Sequence, residues 1–189
     1  MKVSVGVSNR HVHLTEETYK ELFDGIDLEI VKELTQPGQF ASNLKLTIKT
    51  EKSSIENVRV LGPLRKYNQV EISKTDAFKL GLNPPVRDSG DLEGSSSITL
   101  EYNGKEVYLD KGCIIPTRHI HINPDEVEKF GLTGVKVVSV KVGGEKGGIF
   151  NHVRIKSANM SFFELHIDTD DANSFMIKQG DIVEIINEN

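Results

Sequence analysis

Two short stretches decide how this chain is read: Ser8-Asn9-Arg10-His11-Val12-His13-Leu14 and Thr117-Arg118-His119-Ile120-His121-Ile122. Each carries an Arg-His-β-branched-His-aliphatic core, and His119 follows His11 by 108 positions. Each also leads into a polar, acidic run with helical character, Thr15-Glu16-Glu17-Thr18-Tyr19 in one copy and Asn123-Pro124-Asp125-Glu126-Val127 in the other. A His-x-His among β-branched and aliphatic residues reads as a strand, where alternate side chains share a face and both imidazoles are presented together. Two imidazoles on one face are half of a metal site. A single such pair is equally well read as two surface or hydrogen-bonded histidines. Two copies, holding four of the six histidines, shift the reading toward metal.

A catalytic zinc commonly takes three protein ligands and keeps one position open, so each pair calls for a third. Val70-Glu71-Ile72-Ser73-Lys74-Thr75-Asp76-Ala77-Phe78 aligns without a gap on Leu165-His166-Ile167-Asp168-Thr169-Asp170-Asp171-Ala172-Asn173, which sets Glu71 opposite His166. The expected ligand sets are His11, His13 and Glu71 for one ion and His119, His121 and His166 for the other. Both suit zinc, although imidazole also serves iron, nickel and copper. A carboxylate lowers the net charge of its ion and three neutral imidazoles do not, so the histidine-only centre is expected to be the stronger Lewis acid. His152 has no counterpart in the repeat and is read as a surface or structural histidine.

The rest of the chain fixes the frame around these sets. Its 189 residues suffice for one domain or two small ones, and the duplication favours two. Met1-Lys2-Val3-Ser4-Val5-Gly6-Val7 alternates like a strand and lacks the continuous apolar core of a signal peptide. Residues 15–24 predict a short amphipathic helix capped by Thr15, with Tyr19, Leu22 and Phe23 on one face. Alternating bursts between Ile26 and Leu61 predict strands, and Asn103-Gly104 between apolar runs predicts a hairpin. Thr75 to Gly81 is expected to carry a helix cap, a turn of helix and a terminating glycine. Many short strands with few helices predict a mainly β protein: two similar antiparallel β-barrels with short capping helices, internally duplicated. The turn-rich segment around Pro84-Pro85 to Ser97 places the boundary, giving halves of 1–90 and 91–189, with strand exchange between them left open.

A formal charge of −5 argues against non-specific nucleic-acid binding, and no apolar run is long enough to span a bilayer. The single cysteine, Cys113, excludes an internal disulfide and fits a reducing, cytoplasmic setting; with Gly112, Ile114 and Ile115 around it, it reads as a buried thiol. Arg65, after a Gly-Pro turn six residues before Glu71, and Arg87, in the turn-rich joint, are planar forks suited to phosphate or carboxylate. Beside two metal sites they point to an anionic substrate. A homo-oligomer is compatible with the sequence.

Taken together and in order, Ser8 to Leu14, Gly62-Pro63-Leu64-Arg65 with Gln69-Val70-Glu71, Pro85 to Gly90, Arg118-His119-Ile120-His121 and His166 to Asp170 resemble the PduL-type phosphate propanoyltransferases, a phosphotransacylase family. The resemblance spans nearly the whole chain. It implies interconversion of acyl-CoA (propanoyl- or acetyl-CoA) plus phosphate with acyl phosphate plus CoA, on two β-barrels with two zinc ions. It implies the same six metal ligands and phosphate binding by Arg65. From the residues themselves, catalytic roles are expected for Arg65 and Glu71, with Arg87 as a further substrate contact. Where arginines are expected in the second half, the chain has Lys146 and Lys156, which keep the charge and lose the bidentate fork. The competing readings are a metal-dependent hydrolase and a non-catalytic module stapled by metal.

Overall fold

A computed structural model describes residues 1–186, so positions 187–189 of the expected second half lie outside the described residues. In chain order the strands are β1 (Lys2–Ser8), β2 (His11–His13), β3 (Ile30–Glu33), β4 (Phe40–Lys49), β5 (Ser54–Gly62), β6 (Gln69–Glu71) and β7 (Val86–Arg87). They continue with β8 (Ser96–Tyr102), β9 (Lys105–Pro116), β10 (His119–Ile122), β11 (Val137–Val142), β12 (Gly148–Ser157), β13 (Glu164–Asp168) and β14 (Ile182–Ile186). The helices are α1 (Glu16–Phe23), α2 (Lys74–Leu80), α3 (Pro124–Lys129) and α4 (Thr169–Ser174).

Two six-stranded barrels result, as the alternating sequence predicts, but they are mixed rather than antiparallel, because β1–β13, β10–β12, β2–β5 and β6–β9 pair in parallel, an orientation that alternation does not encode. One closes through β4, β5, β2, β6, β9 and β8, with β8 pairing both β9 and β4, while β3 and β7 extend it. The other closes through β1, β13, β10, β12, β11 and β14. Their topologies match strand for strand. In each, the His-x-His strand lies between a parallel neighbour (β5 or β12) and an antiparallel one (β6 or β13). In each, the latter pairs in parallel with a long strand (β9 or β1).

That correspondence moves the boundary. The compact units are Arg10–Pro116 on one side and Met1–Asn9 with the chain from Thr117 onward on the other, not 1–90 and 91–189. The Asn103-Gly104 turn does form the β8–β9 hairpin, but β9 completes the barrel of the first His-x-His, and β1 completes the barrel of the second. The strand leading into each His-x-His therefore belongs to the other barrel. The turn-rich segment at 84–97 marks a loop and the short strand β7 inside one unit, because strand partners are chosen by long-range pairing rather than by local composition.

Alternation sets which way the histidines face. Val12 and Ile120 are both 0% exposed and sit in the two barrel cores, so the histidines on either side of each point away from the barrel interior. A slip of one residue would turn the imidazoles into the barrel interior and the aliphatic side chain out of it, which holds the register. Around the first core pack Leu14, Leu22, Phe23, Val60 and Val70; around the second, Val5, Ile122, Val153, Leu165 and Ile167.

The short helices start on side-chain caps. Thr15 caps α1 as the sequence predicts, accepting from the Thr18 backbone N–H at 3.2 Å. For α2 the cap is Ser73, which accepts from Asp76 N–H at 3.2 Å, so Thr75 lies inside the helix rather than at its start. The equivalent Asp168 caps α4, accepting from Asp171 N–H at 2.9 Å. Gly81 ends α2 at φ +71°, a left-handed conformation that suits glycine.

Candidate metal centres

The first centre is built on β2 and β6, whose antiparallel register sets His11 opposite Glu71 and His13 opposite Gln69. His11, His13 and Glu71 each bring a ligand atom to within 4.8 Å of the others. His11 Nε2 lies 3.4 Å from Glu71 Oε2, and the two imidazoles meet edge to face with centroids 5.0 Å apart. Burial, followed by the charges of His11 and Arg65, holds His13 well below the usual imidazole pKa, so its ring is neutral. Its Nδ1 is buried with no hydrogen-bond partner among the described residues. Such an orphaned group costs about 1–3 kcal/mol, a cost that a coordinated cation removes. The donor set therefore fits a metal on the evidence of its own atoms.

A polar chain runs away from Glu71. Gln69 donates through Nε2 to Glu71 Oε1 at 2.5 Å and to Ser89 Oγ at 2.8 Å, and its Oε1 accepts from Gly90 N–H at 2.7 Å. Ser89 Oγ also accepts from Arg65 Nη1 at 3.0 Å, and the same Nη1 reaches the Tyr67 hydroxyl at 3.4 Å. The Arg65 backbone is pinned by its N–H donating to Leu14 O at 2.7 Å. The sequence-predicted Arg65 is thus joined to the first centre through Ser89 and Gln69, neither of which the sequence reading singled out. Arg87 is turned elsewhere: its Nε faces the carbonyl of Glu93 at 3.3 Å and Asp91 at 3.7 Å, and its Nη1 the carbonyl of Val86 at 3.1 Å.

The second centre repeats the plan on β10 and β13, with His119 opposite His166 and His121 opposite Glu164. The three histidines again bring ligand atoms within 4.8 Å, and their ring centroids lie 4.6–5.2 Å apart. His119 Nδ1 faces the carbonyl of Thr117 at 2.8 Å, and a carbonyl only accepts, so Nδ1 carries the proton. Nε2 of the neutral ring is then a bare lone pair, and it lies 3.0 Å from His121 Nε2. Burial is the first cause that keeps both rings unprotonated, with the charge of Lys156 contributing to each: His119 falls well below the usual value and His121 to about 3. Lys156 stands opposite His121 on β12. Neutral imidazoles gathered by their lone pairs are the form a metal takes up.

Two further features escaped the sequence reading. Arg10, the arginine of the first His-x-His, pairs with Asp76 at 2.8 Å, and Arg118 of the second grips Asp171 with Nε and Nη2 at 2.9 and 2.7 Å. Each His-x-His is thereby braced to the helix after the third ligand, and the aspartates occupy equivalent places in the repeat. Glu164, 4% exposed, accepts from His166 Nε2 at 2.7 Å. The second centre is therefore not free of carboxylate, and the expected contrast in charge between the centres is reduced. His152 is exposed on β12 at φ +59° and belongs to neither set.

The family model for phosphate propanoyltransferase matches residues 4–178. The chain is 50% identical over 186 residues to the phosphate propanoyltransferase of Thermotoga maritima, covering 97% of this chain and 89% of that protein. It is 44% identical to that of Rhodopseudomonas palustris over 185 residues, 97% and 82% of the two chains. To that of Salmonella typhimurium it is 43% identical over 173 residues, 91% and 82%.

Proposed function

The chain belongs to the phosphate propanoyltransferase family of acyltransferases, and from that premise we propose that it interconverts acyl-CoA plus phosphate with acyl phosphate plus CoA, using two zinc ions. One ion is assigned to His11, His13 and Glu71, the other to His119, His121 and His166. What carries the zinc assignment is the recurrence of a three-donor cluster at register-equivalent positions of both barrels, with ring nitrogens held neutral and one of them, His13 Nδ1, buried without a hydrogen-bond partner among the described residues.

In the forward direction a phosphate oxygen attacks the thioester carbonyl carbon. The new C–O bond forms as the carbonyl electron pair moves onto oxygen, and the pair returns as the C–S bond breaks, the sulfur leaving as thiolate. A dication bound at such a centre supplies Lewis acidity to an oxygen and stabilises a thiolate. The protein's own part is to gather and orient anions. Arg65 offers its fork to the phosphate from a backbone position fixed by Leu14 O. Ser89 Oγ already accepts from Arg65 and Gln69, so its hydroxyl hydrogen remains to donate to an anion beside Arg65. Glu71 is the catalytic carboxylate by virtue of its place in the first donor set. Arg87 is assigned to a second anion contact, which requires it to leave Asp91. No helix among the described residues is long and apolar enough to cross a membrane, and the buried thiol of Cys113 fits a cytoplasmic setting.

Incubation with propanoyl-CoA or acetyl-CoA and phosphate tests the proposal, free thiol being followed as it is released. Release that requires phosphate and yields acyl phosphate is the expected result. Thiol release at the same rate without phosphate would make the protein a thioester hydrolase instead.

A further inference from the structure

In each barrel the residue two positions before the third donor lies on the same face of the same strand and hydrogen-bonds to it. On β6, Gln69 Nε2 donates to Glu71 Oε1 at 2.5 Å; on β13, Glu164 Oε2 accepts from His166 Nε2 at 2.7 Å. The two positions are equivalent in the repeat, since each is opposite the second histidine of its His-x-His: Gln69 faces His13, and Glu164 faces His121. Their chemistry is exchanged along with that of the donor they serve. A carboxylate donor is met by an amide N–H, and an imidazole donor is met by a carboxylate.

We propose that Gln69 and Glu164 are matched positioning residues, Gln69 holding the Glu71 carboxylate and Glu164 fixing the tautomer and ring plane of His166. The assignment rests on the zinc reading above and extends it to residues outside both donor sets. For Glu164 the geometry is specific. An ionised carboxylate only accepts, so His166 Nε2 carries the hydrogen and Nδ1 is the nitrogen left to coordinate. Glu164 is buried, yet it is not part of the cluster whose donor atoms all lie within 4.8 Å, so it acts through His166 rather than beside it.

The chain makes room for this pair. Gly6 on β1 stands opposite His166 in the parallel register. A Cβ there would lie 2.9 Å from both Cδ and Oε2 of Glu164 and 3.0 Å from His166 Cδ2. Its φ is not in the left-handed range, so close approach, not backbone conformation, accounts for the glycine. Gln69 is supported from the other side by Gly90 N–H and shares Ser89 with Arg65, which ties the orientation of Glu71 to the arginine assigned to phosphate.

The test uses Glu164→Gln and Gln69→Leu in the full chain, with zinc content and competition against a chromophoric chelator as readouts. Glu164→Gln is expected to let one of two zinc ions go about 10–100-fold more readily while the other is unchanged, and Gln69→Leu to do the same for the other ion. Both ions held as tightly as in the wild type by both variants overturns the proposal. So does equal weakening of both ions by each variant, which a general loss of structure would produce. A second readout does not need metal: long-range 1H–15N spectra of the metal-stripped wild type should show His166 as the Nε2–H tautomer, and an Nδ1–H tautomer refutes the role of Glu164. Wild-type protein that takes up no zinc defeats the two-zinc reading itself and, with it, the positioning roles. Zinc uptake with unaltered variants defeats only the positioning roles.

Discussion

Replacing Gly6 by alanine should destabilise the second barrel, although alanine normally improves a strand. The substitution relieves the entropic penalty of glycine by about 0.5–1 kcal/mol. Against this, the new methyl would sit 2.9 Å from the Glu164 carboxylate, closer than real Cβ contacts allow, and 3.0 Å from the His166 ring, tighter than most. The carboxylate is the mobile partner, and displacing it breaks the 2.7 Å bond to His166, a charge-assisted bond of about 1.5–3 kcal/mol. The balance is a loss of about 1–2 kcal/mol, which lowers Tm by roughly 2–8 °C in a chain of this size. Thermal denaturation with chelator competition measures both parts: Tm falls, and one zinc is held less tightly. In a Glu164→Ala background the clash with the carboxylate is gone, so most of the cost of Gly6→Ala should vanish, a coupling read directly from a double-mutant cycle. A Tm raised by Gly6→Ala with both ions retained, or an equal cost in the two backgrounds, refutes the reasoning.

Arg65→Lys keeps the charge and loses the fork, so KM for phosphate should rise about tenfold with the fold intact, as circular dichroism would verify; unchanged phosphate kinetics remove Arg65 from the site. Elemental analysis should find about two zinc ions per chain. His166→Ala should lower that to about one and abolish transfer, and two ions in this variant would exclude His166 as a ligand. Burial pushes the Cys113 thiol up to about 12, which leaves a thiolate fraction of about 10⁻⁴ at pH 8. Native protein should therefore resist alkylation at pH 8 and react stoichiometrically once unfolded. Rapid labelling of the folded enzyme would contradict that burial.

The barrels were legible because alternation is a local signal: Val12 between His11 and His13, and Ile120 between His119 and His121, already say which face is buried. Both donor clusters were legible as well, because duplication repeats the same residue types in the same order, and the structure brings each set together. The boundary was not, since nothing local in Lys2–Ser8 says that its partner is Glu164–Asp168. Gln69 and Glu164 were missed for a different reason. The aligned segments began at Val70 and Leu165, one residue too late, and the two residues are alike only in being complementary to dissimilar neighbours. The Arg10–Asp76 and Arg118–Asp171 braces join parts of the repeat that lie far apart in sequence, so recurrence of each residue alone gave no reason to pair them. The partners of Arg87 were not legible either: the fold turns it toward Asp91 and the carbonyls of its own segment, contacts it has to leave to meet an anion.

The crossed placement of β1 and β9 bears on how such a chain could arise. The repeat runs β1, β2, β4, β5, β6, β8 and again β9, β10, β11, β12, β13, β14, and each copy gives its leading strand to the barrel that the other copy builds. A half-length ancestor made like either copy would have had one strand too few around its own core and one left over. Trading that strand with a twin would close it, which is the exchange that the two copies make within this chain. With both copies in one chain the two halves need not be identical, and one donor set carries Gln69 with Glu71 where the other carries Glu164 with His166.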